Sequence, residues 1–193
     1  MLKVGPSVRL MLRALIAVGL VASTSGCLWP GDASYALGVA KIGDSFHVFA
    51  PLCADKRIVS VKAYDNQAAA ATPETGGGRP TIPAYWQVAE PQSEAAAKGE
   101  FVIGDDAPFG QVLVPVPGRG SLPAITGVEL TVQRGDQAHA VGDVFKLTGV
   151  PEYPAGTDPE TVKYVYDEGA NSEKMLTQGQ ISEESMCAFK YVA

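Results

Sequence analysis

Histidine, cysteine and basic residues are all scarce in this chain. Two histidines and three cysteines occur in 193 residues, and 15 Lys+Arg stand against 21 Asp+Glu. Two histidines leave little room for an imidazole-based metal centre. No Cys-x-x-Cys spacing supplies a thiolate site in their place. With acid in excess, no basic patch is available to hold a polyanion, so nucleic acid is excluded as a partner. Gly76 to Gly78 is not followed by Gly-Lys-Ser/Thr and opens no helix, so no phosphate loop is present. No pair of carboxylates is set up for glycoside chemistry. Long apolar runs are missing too. The best, Ala14 to Ala22, is about half the roughly 20 residues a membrane-spanning helix needs.

That short run has an orderly setting. Lys3, Arg9 and Arg13 precede it, no acidic residue occurs before Gly26, and Thr24-Ser25-Gly26-Cys27 follows. A basic region, an apolar core and small residues form a secretory signal. The small-small-Cys ending resembles the lipobox of bacterial lipoproteins, with Thr24 where that family more often has Leu. The resemblance covers residues 1–27. It implies cleavage before Cys27 and diacylglycerol on its sulfur; ordinary signal-peptidase cleavage near the same place is the alternative. Two acyl chains are what stable attachment takes. The expected organisation is a signal at 1–26, lipidated Cys27 with a tether to Ser34, and a single domain over 35–193. Seven extended tether residues reach roughly 25 Å, which keeps the domain beside the membrane. Without residues 1–26 the chain has 12 basic and 21 acidic residues, a formal net charge of −9. Such a domain is held off anionic headgroups rather than laid on them. The expected location is the extracytoplasmic face of the cell membrane, with Trp29 at headgroup level.

With Cys27 committed to lipid, Cys53 and Cys187 have one intramolecular pairing open to them in an oxidising compartment. A bond across 134 residues would stabilise by up to about 5 kcal/mol in the chain-entropy picture. Two buried thiols or a metal pair are the other readings.

From Tyr35 onward the chain reads as short strands separated by Gly, Pro, Asp and Asn. Expected strands are Ser45–Ala50, Arg57–Tyr64, Tyr85–Ala89, Phe101–Ile103, Gln111–Val116, Gly127–Gln133, Val144–Thr148, a stretch through Val162, Tyr164 and Tyr166, Ser172–Thr177 and Met186–Val192. In Arg57–Tyr64, Ile58 is set on the face opposite Val59, Val61 and Ala63. Gly127–Gln133 is the cleanest, with Val128, Leu130 and Val132 on one face and Glu129, Thr131 and Gln133 on the other. Residues 68–83 read as a long mobile loop, and Ser93–Lys98 as a helical turn or two. About ten short strands and almost no helix indicate an all-β fold, an antiparallel β-sandwich, immunoglobulin-like or a related Greek key. Ile42-Gly43-Asp44-Ser45-Phe46 and Val141-Gly142-Asp143-Val144-Phe145 echo one another, and are read as one local device used twice: a Gly-Asp turn releasing a strand with an inward Phe.

Gly43-Asp44-Ser45, with Asp136-Gln137-Ala138-His139, resembles the nucleophile and Asp-x-x-His blocks of GDSL-type esterases, where His activates Ser. Leucine is replaced by Phe46, the Gly and Asn oxyanion blocks are missing, and that fold's helices are not indicated. The reading is therefore non-enzymatic, with no cofactor and no metal. Asp65-Asn66 and Asp105-Asp106 are oxygen-rich loop clusters of the kind that collect Ca²⁺, and are read as solvated turns. Tyr85 and Trp86 are adjacent, so on a strand one faces in and the other out, and an outward ring can stack on sugar. Two functions are expected in order: a non-catalytic module docking an envelope protein, or a binder of wall glycan or a small envelope ligand through Tyr85 or Trp86.

Overall fold

The computed structural model describes residues 37–70, 82–117, 122–167 and 173–185. All belong to one compact unit of the chain. Its elements are strands β1 (Gly38–Ile42), β2 (Ser45–Phe49) and β3 (Arg57–Asp65), helix α1 (Asn66–Ala70), β4 (Ala84–Pro91), helix α2 (Glu94–Ala97), β5 (Glu100–Val102), β6 (Phe109–Val114), β7 (Ile125–Arg134), β8 (Gln137–Lys146), β9 (Glu152–Tyr153), β10 (Tyr164–Asp167), β11 (Glu173–Leu176) and helix α3 (Gln178–Glu184).

The strands form two sheets, and the chain is an all-β sandwich. The first runs β11-β10-β1-β2-β5, with β9 parallel to the end of β1 through Lys41↔Glu152 and Ile42↔Tyr153. The second runs β6-β4-β3-β7-β8 and is antiparallel throughout. Leu37, Val39 and Val48 from the first meet Ile58, Val61, Trp86, Val88, Val128 and Leu130 from the second in one buried cluster. The period-two pattern of β7 is the reason: Val128, Leu130 and Val132 are buried, while Glu129, Thr131 and Gln133 are half-exposed.

The sequence did not suggest α3. It covers the outer face of the first sheet, where Ile181 joins Ala40, Ile42, Phe49, Tyr164 and Tyr166 in a second buried cluster. Gly38 permits the approach, since a Cβ there would lie 2.7 Å from Ile181 Cδ1. β1 is consequently buried on both faces.

Three local expectations are corrected. Ile58 pairs with Val132 and Ser60 with Thr131, so Val59 is the extra residue of a bulge. Ile58 thereby joins Val61 and Ala63 on the core face instead of opposing them. Residues 68–70 are helical rather than loop, because the Asp65 carboxylate accepts from the amides of Gln67 and Ala68 at 2.9 and 3.2 Å and starts α1. The two echoed segments are also unlike. Gly43-Asp44 is the β1–β2 turn, with Gly43 at φ 59°, whereas Gly142-Asp143 lies inside β8. Met186–Val192 lies outside the described residues, as does most of the 68–83 stretch.

Candidate functional site

Cys27 and Cys187 lie outside the described residues. Cys53 is half-buried in the β2–β3 connection and is not a free, titrating thiol.

Trp86 is fully buried. Its ring meets Phe109 edge-on at 5.9 Å and Phe101 at 6.5 Å, and its Nε1–H donates to Asp106 Oδ1 at 2.7 Å. No sugar can stack on it without opening the core, so Trp86 is withdrawn from the pair of candidate stacking residues. Tyr85 does not alternate cleanly with it. Ala63 pairs with Trp86 and Tyr64 with Ala84, leaving Tyr85 as a bulge residue, half-buried against the core. A different aromatic occupies the outer face of the second sheet. The Tyr64 ring covers Gly127, where any Cβ would collide with it, and Lys62 Nζ lies 5.6 Å from its centroid. Burial, with Glu129 and Asp143 nearby, raises the Tyr64 pKa above its ordinary value. Sequence reading passed over Tyr64 because nothing local shows that a glycine will lie beneath it.

The esterase-like residues are not brought together. Ser45 opens β2 in the first sheet, while Asp136 and His139 lie at the β7–β8 hairpin of the second. His47 is half-buried on β2, and burial lowers its pKa; His139 is exposed on β8. The loop carboxylates serve the backbone and the core: Asp65 starts α1, Asp105 accepts from Ala107 N at 3.0 Å, and Asp106 holds Trp86. Among the described residues, no three His, Cys, Asp or Glu converge on a metal-sized space.

The sheet edges differ more than the faces. An edge strand carries a row of backbone N–H and C=O groups that another strand can pair with, and proteins blunt such edges with charge, shortness or inward-pointing polar groups. β5 has three residues. β11 carries Glu173 and Lys174, the latter paired with Glu184 of α3 at 2.7 Å. β8 carries exposed His139 and Lys146, and Asp143, whose Oδ2 accepts from Leu37 N at 3.2 Å. β6 has neither charge nor shortness, and only a bulge interrupts it. From Phe109 to Pro117 there is no charged residue, and Val112 and Leu113 are 44% and 51% exposed. Val112 pairs with the core residue Val88, so it sits on the core-facing side yet stays open to solvent. Leu113 is the extra residue of a bulge between the Gln87 and Val88 pairings. Beside β6, Glu90 has φ 57°, the one non-glycine left-handed conformation among the described residues, and its carboxylate accepts from Gln111 Nε2.

Among the described residues, the other two exposed large apolar side chains, Val144 and Met175, belong to the opposite side. There a cavity of about 630 Å³ is lined by Ile125, Val144, Phe145, Lys146, Val165 and Glu173, and Met175 pairs with Val165. Its volume falls in the small-ligand range. No family model, curated protein or solved structure matches the chain.

Proposed function

We propose that this chain is a lipid-anchored protein of the extracytoplasmic cell envelope whose β-sandwich is a non-catalytic protein-interaction module, with β6 as its docking edge. The observation that carries the reading is the contrast among edges: β6 alone among the described edges has no charged residue, and it exposes Val112 and Leu113. Strand addition at such an edge supplies affinity through backbone hydrogen bonds, and specificity through alternate side chains. Lipid on Cys27 and a signal at 1–26 place the module at the membrane. A Cys53–Cys187 bond would tie the β2–β3 connection to the C-terminal segment; the bonded state of Cys53 supports it. An immunoglobulin-like or Greek-key lineage of the sandwich belongs to the same proposal.

The test is a photoreactive residue at position 112 in intact cells, with position 140 on β8 as control. A protein adduct from 112 and none from 140 is the expected result. No protein adduct from 112 overturns the docking edge. In the same cells Cys27→Ala should release the protein from the membrane fraction, and unchanged fractionation would refute the anchor.

Binding of wall glycan is the second reading. What favours it is Tyr64 lying flat over Gly127 beside Lys62, Glu129 and Thr131, an aromatic platform ringed by polar groups. Tyr85 is the sequence-derived candidate for the same role. Retention on wall polysaccharide that is lost in Tyr64→Ala would select this reading.

A further inference from the structure

We infer that the occupant of the β6 edge is β6 of a second copy of this chain, paired antiparallel about a two-fold axis so that two five-stranded sheets become one. The inference rests on β6 being a docking edge and names what docks there.

Three features of the molecule single out a second copy. A two-fold contact brings a surface against itself, so a charge on or near the axis meets its own like. β6 and its extension to Pro117 carry no charge of their own, so no register of self-pairing sets like charges together, whereas β8 and β11 are charged and avoid this only in some registers. A neutral strand presenting Gly110, Gln111, Val112, Leu113 and Val114 is its own complement. Secondly, Val112 occupies the core-facing side and remains 44% exposed, and no strand among the described residues lies beyond it. A partner strand with the same apolar row closes that opening, which an arbitrary polar chain would not. Thirdly, pairing consumes the one unguarded edge. The remaining described edges carry charge or are three residues long, so addition stops at two and no filament grows. Pro115 and Pro117 lack N–H groups and limit the paired stretch to β6 itself. Copies anchored in one membrane share a surface, which raises the effective concentration of this short contact.

The geometry supplies its own probe. In antiparallel pairing about a two-fold, a residue on the axis lies opposite itself with Cα atoms about 4.5–5.5 Å apart, within disulfide reach. Gln111→Cys, Val112→Cys and Leu113→Cys are introduced singly into the full chain and oxidised in native membranes, then run unreduced. A band at twice the mass of the membrane-bound monomer, strongest at one of the three positions and absent for Ala140→Cys on exposed β8, is the expected result. Adding Val112→Lys to the stronger of Gln111→Cys and Leu113→Cys should cut dimer yield at least tenfold while the thermal unfolding midpoint stays unchanged. No dimer from any of the three, or equal yield from Ala140→Cys, overturns the inference. Photoadducts from position 112 with a different protein alone overturn the second copy and leave the docking edge standing. No protein adduct of either kind removes both.

Discussion

At the scale of single residues, two side chains expose the trade between polar groups and the core. Trp86 brings its Nε1–H into a space walled by Phe101 and Phe109, and Asp106 is the acceptor that makes this tolerable. Asp106→Ala should lower unfolding free energy by about 1–3 kcal/mol, because a buried donor is left unmet. Urea denaturation measures it, and an unchanged midpoint would show that water substitutes fully. Glu100 makes the opposite point. Burial, and then the like charge of Glu160, raise its pKa from the ordinary 4.5. A carboxyl whose folded pKa is raised binds its proton more tightly when folded, so its contribution to stability falls as pH rises through 4.5 to the folded value. Glu100→Gln should therefore raise the thermal midpoint at pH 7, and the gain should vanish below about pH 4. A gain that persists in acid would mean that packing, not charge, is responsible.

At the scale of elements, legibility followed the number of residues that repeat a pattern. β7 announces itself because three buried and three half-exposed positions alternate without interruption. β3 does so only up to its bulge: Val59 shifts the phase, and no local signal in Arg57-Ile58-Val59-Ser60 marks the extra residue. α3 was missed although Thr177 and Gln180 form a capping box that is visible in the sequence. With seven residues and one buried side chain, Ile181, it offers no apolar stripe at helical period. Thr177→Ala should cost about 1 kcal/mol and speed amide exchange in α3 before any other element; uniform exchange across the domain would show that the cap does not act locally. The candidate site was the least legible part. The expected strand Gln111–Val116 overlaps β6 only over 111–114, and edge status belongs to strand order, which no single strand encodes. Tyr64 over Gly127 is hidden for the same reason, since its partner lies 63 residues away.

At the scale of the whole molecule, strand pairing joins early and late parts of the chain, and the proposed disulfide would add a covalent tie. Peptide mapping of unreduced protein should yield Cys53 joined to Cys187, and an alkylatable Cys187 in native protein would refute that bond. The strand register carries a further consequence. β1 lies between β2 and β10, with Gly38 opposite Tyr166, 128 residues later. Before β10 and β11 exist, β1 and β2 have only the three-residue β5 and the two-residue β9 beside them. A ribosome adding about 5–20 residues per second leaves the first sheet unfinished until nearly the entire chain has been made. If the chain is exported as proposed, delayed closure of this kind would let it thread a translocation pore unfolded and complete its fold on the far side, once its last strands arrive.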